Sequence, residues 1–182
     1  MTAESMSSLE HGLRRLIRDV ADYPRAGIMF KDITPLLGRP DAFNSACQAM
    51  AGAFRSDGVT HVAAVESRGF LFGSPIAVML NAGVVPIRKR GKLPYDSEFE
   101  EYELEYGTDA LEMHVDALPT GARVLVVDDV LATGGTAGAA CRLVERLQGT
   151  VVGCSFLIRL GFLSGLEKLP GRKVSSLITY EA

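Results

Sequence analysis

Val124-Leu125-Val126-Val127-Asp128-Asp129-Val130-Leu131-Ala132-Thr133-Gly134-Gly135-Thr136 is the stretch whose reading decides the fold. Its first four residues are apolar and mostly β-branched, as in a parallel strand buried on both faces. Asp128 and Asp129 follow and are expected in the loop where that strand leaves the sheet. Thr133, Gly134, Gly135 and Thr136 come next, and the Ala-rich run from Ala137 to Leu147 reads as a helix. Glycines let backbone N–H groups close on a phosphate with no Cβ in the way, and threonine hydroxyls add donors. The free N–H groups and positive dipole end of the following helix complete an anion site at Ala132 to Thr136. The carboxylates would repel a phosphate and suit ribose hydroxyls or a magnesium ion instead. Strand, acidic pair, glycine loop and helix together form an arrangement with which an α/β protein binds a phosphorylated sugar. A lone turn glycine or capping aspartate would carry little information. The spacing fits neither G-x-x-x-x-G-K-[ST] nor G-x-G-x-x-G, which excludes the common nucleotide loops.

A second buried strand, His61 to Val65, runs into Glu66-Ser67-Arg68-Gly69-Phe70-Leu71-Phe72-Gly73. Carboxylate, hydroxyl, arginine and glycine at a strand's carboxyl end make a second candidate anion loop. Ligands of open α/β sheets bind outside the carboxyl ends of the strands, so both loops are expected to face one crevice. A helix over Ser74 to Asn81 and a strand over Gly83 to Ile87 follow. Arg88-Lys89-Arg90-Gly91-Lys92 then concentrates positive charge directly at a strand end.

Beyond it, Glu98-Phe99-Glu100-Glu101-Tyr102-Glu103-Leu104-Glu105-Tyr106-Gly107 is acidic and alternating, with Glu101, Glu103 and Glu105 on one side and Tyr102, Leu104 and Tyr106 on the other. With Leu93 to Phe99 before it and Ala110 to Val115 after it, the segment reads as an excursion able to cover the crevice. A mobile lid that excludes water is the expectation.

The chain's 182 residues suit one domain, 1–182, with a core that needs no disulfide. A net charge of −3 gives no reason to expect nucleic-acid binding. Cys47, Cys141 and Cys154 are far apart in sequence and form no metal-ligand pattern, so each reads as a small hydrophobe in a reducing compartment. No signal sequence or membrane span is legible, and a cytoplasmic protein is expected. His11, His61 and His114 are scattered without carboxylate or thiol at ligand spacing. Ser8 to Val20 reads as an amphipathic helix. Tyr23 to Pro35 reads as a loop rich in turn residues, and Pro40 to Phe54 as a helix. Val151 to Ile158 is a further buried strand, with Leu160 in its exit as either crevice wall or core, and Lys173 to Tyr180 closes the sheet.

Four of these segments, Glu66 to Gly73, Ile87 to Pro94, Leu104 to Gly107 and Val126 to Thr136, together resemble the type I phosphoribosyltransferases. The last segment points to that superfamily and the other three to its adenine-specific branch. The likeness runs in order from about Tyr23 to the C-terminus, with Val130 in place of a common leucine. It implies a twisted, mostly parallel sheet flanked by helices, a small hood over about residues 1–35 and a mobile lid over about residues 92–112. The reaction it implies is adenine plus phosphoribosyl pyrophosphate (PRPP) giving AMP and pyrophosphate, with Mg²⁺ carried by PRPP near Asp128 and Asp129.

The likeness also assigns roles. Ala132, Thr133, Gly134, Gly135 and Thr136 would hold the 5′-phosphate, and Asp128 and Asp129 the ribose hydroxyls. Ser67, Arg68, Arg88, Lys89 and Lys92 would hold the pyrophosphate, whose charge grows as the C1′–O bond breaks. Phe30 and Leu160 would sandwich the purine, with backbone groups of Met29 and Lys31 reading its edge. Glu105 would manage the purine's proton, making Glu105 and Arg68 the catalytic pair. The Glu66–Ser67 peptide is expected to be cis, and the protein to be a homodimer. Three alternatives remain at this point: another base specificity within the superfamily, a PRPP-sensing regulator, or an inactive subunit. A regulator would need a DNA-reading module, and no helix-turn-helix pattern precedes the core.

Overall fold

The structure is a computed structural model that describes residues 3–103 and 108–181. The chain divides into two compact units, residues 1–49 and 50–182.

In the first unit, helix α1 spans Ala3–Arg14, strand β1 Arg18–Ala21, strand β2 Met29–Asp32 and the short helix α2 Thr34–Leu37. Helix α3, Pro40–Gly52, begins here and carries the chain into the second unit. Two expectations are corrected. The helix expected over Ser8 to Val20 starts earlier and stops at Arg14, because Leu16 and Ile17 turn back to the carbonyls of Leu13 and Arg14 in tight three-residue bonds. Val20 instead pairs with Phe30 in an antiparallel hairpin, so part of the expected Tyr23 to Pro35 loop is strand. The turn is held by the Asp22 carboxylate, which accepts the Gly27 N–H at 2.8 Å. Asp32 then launches α2 by accepting both the N–H and the hydroxyl of Thr34, at 2.9 and 2.6 Å.

The second unit is built on a sheet of seven strands. They are β3 (His61–Val65), β4 (Gly83–Lys89), β5 (Ser97–Glu103), β6 (Thr108–His114), β7 (Arg123–Leu131), β8 (Thr150–Leu160) and β9 (Val174–Tyr180), in spatial order β5-β6-β4-β3-β7-β8-β9. The run from β4 through β3, β7 and β8 to β9 is parallel, while β6 is antiparallel to both β4 and β5. Helices α4 (Gly69–Leu80) and α5 (Gly135–Arg146) are the crossovers after β3 and β7. Val62 to Val65 and Val124 to Val127 are completely buried, as continuous apolar runs in central parallel strands should be.

The chain leaves β3 for β4 on one side and later returns with β7 on the other. The strand order therefore reverses between β3 and β7, the place where open α/β sheets form a ligand crevice beyond the strand ends. The strands prove longer than expected at that end. β7 runs to Leu131 beside β8, with Asp128 opposite Phe156, so the acidic pair belongs to the strand and not to a loop. β4 includes Arg88 and Lys89, β8 includes Leu160, and α4 opens at Gly69 rather than Ser74. The hairpin of β5 and β6 pairs from Ser97 with His114 to Glu103 with Thr108.

Candidate active site

Three segments meet at the β3–β7 crevice. The first is the end of β7. Asp129 is only 3% exposed, and Asp128 accepts the Asp129 N–H at 2.8 Å. Burial, and then the neighbouring Asp129 charge, pushes the Asp128 carboxyl well above the usual carboxylate range. Burial also raises Asp129, against the opposing pull of Arg68. The pair therefore holds a proton more readily than ordinary carboxylates do.

Beyond the pair the chain turns at Gly134, whose φ of +80° suits glycine. A Cβ there would also collide with the Gly165 carbonyl and approach Lys168 Cβ at 3.0 Å. Helix α5 starts immediately, so the N–H groups of its first turn have no partner within the helix. Asp128, Leu131, Ala132, Thr133, Gly134 and Thr136 line a small cavity of about 70 Å³ at this point. Its lining joins a carboxylate to a glycine loop at a helix N-terminus, the residue chemistry expected for a sugar phosphate.

The second segment is the loop after β3. Its Glu66–Ser67 peptide is cis, as expected. Arg68 Nε lies 2.9 Å from Asp129 Oδ2, close enough for an ion pair but without the alignment of a hydrogen bond. Asp129 Oδ2 is thus a buried acceptor with no aligned donor. A Cβ on Gly69 would stand 2.8 Å from the Val127 carbonyl and 3.0 Å from Asp128 Oδ1, so only glycine lets α4 start this close to the acidic pair.

The third segment carries the cations Arg88, Lys89 and Lys92. Glu66, which the sequence placed only generally in the loop, gathers them. Its Oε2 accepts from Arg88 Nε at 3.3 Å and the Lys89 N–H at 3.1 Å, and its Oε1 accepts from Lys92 Nζ at 2.5 Å. Burial opposes its ionisation, but the Lys92 ammonium, the Lys89 N–H and the Arg88 charge outweigh that and lower its carboxyl below the usual range. Lys89 Nζ pairs with Asp109 at 3.0 Å.

Sequence reasoning did not single out Asp109, Tyr102 or Glu112. The Tyr102 hydroxyl donates to Asp109 Oδ2 at 3.4 Å and lies within reach of the Thr136 side chain. Tyr102 is buried and Glu101 exposed, the alternation expected of this acidic strand. The hairpin is tied to α5 by Arg142 and Arg146, both paired with Glu100. Glu105 falls outside the described residues.

In the first unit, Met29 is exposed, Phe30 packs edge-on against Tyr23 at 5.0 Å between ring centroids, and Lys31 Nζ pairs with Asp19 at 2.6 Å. In the second, Leu160 is half-buried at the end of β8. Cys47, Cys141 and Cys154 are all buried and free. Cys141 and Cys154, distant in sequence, nevertheless meet across α5 and β8 with sulfurs 3.6 Å apart.

A parallel sheet with an acidic strand end, a glycine anion loop and a facing cluster of cations is the layout of a phosphoribosyltransferase. Residues 40–169 match the phosphoribosyl transferase domain family. An adenine phosphoribosyltransferase of Myxococcus xanthus (strain DK1622) is 55% identical over 96% of this chain and 95% of its own. The crystal structure of adenine phosphoribosyltransferase from Rhodothermus marinus DSM 4252 superposes with a TM-score of 0.92 at 50% identity, covering 96% of this chain and 99% of that one. The Saccharomyces cerevisiae enzyme, in complex with an imino-altritol bisphosphate and adenine, gives a TM-score of 0.89 at 38% identity over 94% of this chain and 99% of that one. The chain belongs to the adenine phosphoribosyltransferases.

Proposed function

We propose that the protein transfers the 5-phosphoribosyl group of PRPP to adenine, giving AMP and pyrophosphate and thereby salvaging the free base. The single observation that carries the reading is the cavity shared by Asp128 and the Ala132–Thr136 loop, with Arg68 facing the same acidic pair. The 5′-phosphate would sit on the N–H groups of that loop and the Thr133 and Thr136 hydroxyls. Asp129 Oδ2, buried without an aligned donor, is matched to a ribose hydroxyl.

Pyrophosphate would draw Arg68, Arg88, Lys89 and Lys92 toward itself, with Ser67 adding a hydroxyl. Charge accumulates on this leaving group as C1′ acquires oxocarbenium character, so preorganised cations lower the barrier. Adenine would be held by Phe30 and Leu160 and by the backbone of Met29 and Lys31. Glu105 on the lid would exchange its proton, a reading that follows the family likeness. No covalent enzyme intermediate is needed, because positioning and electrostatics suffice.

Magnesium would enter with PRPP. The Asp128 and Asp129 carboxylates are hard oxygen donors that fit a cation keeping most of its ligands from water and phosphate. When bound, the ion supplies charge neutralisation at the pyrophosphate.

The hood over about residues 1–35 and the lid over about residues 92–112 belong to this reading as parts of one catalytic domain. A homodimer is proposed as well: α4 is apolar apart from Ser74 and leaves Leu71 and Val78 at 45% and 81% exposure, with Val84 also exposed on β4. Three free cysteines, two of them in contact yet unbonded, suit the reducing cytoplasm. No helix of the described residues is long and apolar enough to cross a membrane.

The test is to incubate the protein with PRPP, magnesium and adenine and to resolve the products. Equimolar AMP and pyrophosphate are expected, and hydrolysis of PRPP without AMP would overturn the reading.

A further inference from the structure

Glu112 has no part in the reaction as proposed, yet it is a carboxylate only 4% exposed on β6. Among the described residues no cation pairs with it. Its Oε1 accepts the Lys92 N–H at 2.8 Å and the Leu93 N–H at 2.7 Å, and its Oε2 accepts the Ser97 hydroxyl at 3.2 Å. The Gly91 N–H bonds to it as well. Burial opposes its ionisation, but the donors of Gly91, Leu93, Lys92 and Ser97 outweigh it and hold the carboxyl below the usual range. Glu112 is therefore an anion enclosed in a nest of main-chain donors, which accounts for its charge without a salt bridge.

The nest is the turn by which the chain leaves β4. Gly91 takes a φ of +82° there, and Glu112 stands in register opposite Arg88 on the neighbouring strand. Lys92, in the middle of the turn, is fixed at three points. Its N–H is held by Glu112, its carbonyl accepts from Arg88 Nη1 at 2.9 Å, and its ammonium rests on Glu66. The Arg88 guanidinium spans Glu66 and that same carbonyl. Among the described residues Glu112 makes no hydrogen bond or ion pair with either cation's side chain. It sets the main chain that carries Lys92 and the carbonyl to which Arg88 bonds.

We propose that Glu112 is a positioning residue for pyrophosphate recognition, fixing Arg88 and Lys92 through the backbone of the Gly91–Leu93 turn. The proposal rests on the reading that Arg88 and Lys92 hold the pyrophosphate end of PRPP. A glutamine there keeps one acceptor oxygen but loses the charge that strengthens three main-chain bonds. A leucine leaves buried N–H groups with no acceptor.

The experiment compares Glu112→Gln, Glu112→Leu, Lys92→Met and the double variant Glu112→Gln/Lys92→Met in steady-state kinetics and thermal melting. Glu112→Gln should raise KM for PRPP in the forward direction, and for pyrophosphate in reverse, by about tenfold to a hundredfold, the range for a weakened charge-assisted contact. KM for adenine should move by less than about twofold, since no adenine contact depends on the turn. In the double variant the two rises should fall well short of multiplying, because one residue acts through the other. Glu112→Leu should go further in the same direction, and if it does not fold, the glutamine variant still decides. Unchanged KM for PRPP in Glu112→Gln, when Lys92→Met raises it, would overturn the proposal. So would an equal rise for adenine, or full multiplication in the double variant, either of which marks a merely structural role. If Lys92→Met leaves KM for PRPP unmoved, the premise about the cations fails, and the proposal falls with it.

Discussion

Arg68 Nε and Asp129 Oδ2 stand 2.9 Å apart, joining the loop after β3 to the end of β7 where the strand order reverses. In the proposed reaction the guanidinium binds the leaving group and the carboxylate the sugar. Together they would hold the two ends of the bond to be broken. Asp129→Ala should lower kcat/KM for PRPP by roughly tenfold to a thousandfold, the range for one or two charge-assisted hydrogen bonds at about 1.5–3 kcal/mol each. Thermal melting should show equal or greater stability, because the substitution removes a buried acid whose charge burial disfavours. Unchanged kinetics would remove Asp129 from the site.

The acidic pair also makes a pH prediction. Asp128 and Asp129 are both raised, so they take up a proton at a higher pH than the ordinary carboxylate value of about 3.9. With the ionised pair proposed as the hydroxyl acceptor, kcat/KM for PRPP should decline on the acid side above that range, and Asp129→Asn should move the limb to lower pH by removing the charge beside Asp128. Fold stability behaves oppositely. Glu66 and Glu112 are lowered from the usual glutamate value of 4.5, so the stability they contribute is present above that value and is lost as pH falls through their lowered values. Activity should therefore fail before the fold does, as kinetics and melting curves against pH will register. Coincident loss of both would contradict the assignment.

Gly134→Ala tests the anion loop. The residue would have to adopt a φ of +80° and place its methyl against the Gly165 carbonyl. A stability loss of at least about 1–3 kcal/mol is expected from such strain, together with a higher KM for PRPP. Wild-type melting and affinity would mean that the loop tolerates a side chain and is not closed on a phosphate.

The lid prediction separates three glutamates, Glu101, Glu103 and Glu105, that alternate along one acidic run of the sequence. Glu105→Gln and Glu105→Leu should both lower kcat, leucine more, by about 10²–10⁴-fold for a positioned acid–base group. Glu101→Gln and Glu103→Gln should be nearly silent, and calorimetric PRPP affinity should hold in all four. Equal damage from Glu103→Gln would mean that the strand acts through bulk charge.

Much of this was legible in the sequence because the central strands are continuous apolar runs ending in polar clusters. Val62 to Val65 and Val124 to Val127 announce a parallel sheet, and the residues after them announce its crevice. Strand ends were less legible. Asp128 and Asp129 interrupt the apolar pattern of β7, yet the ladder with β8 carries on past them to Leu131, a tertiary pairing that local hydropathy does not encode. The β1–β2 hairpin was hidden for the same reason: Val20 and Phe30 pair across a turn, while Leu13, Leu16 and Ile17 imitate a longer helix. Glu112 sits among strand residues and looks like one more surface acid. Its signal, a turn of N–H groups aimed at one carboxylate, exists only after β4 and β6 have paired.

Adenine specificity is the central claim, and base discrimination tests it most directly. Adenine offers an amino group where hypoxanthine and guanine offer a carbonyl. A backbone acceptor among Met29 to Lys31 that reads that amino group would be left buried and unpaired by a 6-oxopurine. The decisive measurement is kcat/KM for adenine, hypoxanthine and guanine at saturating PRPP and magnesium. Adenine should be preferred by at least about a thousandfold, as expected when a site built to bond one group meets its opposite. Comparable turnover of hypoxanthine or guanine would contradict the account of the base site while leaving the PRPP site standing.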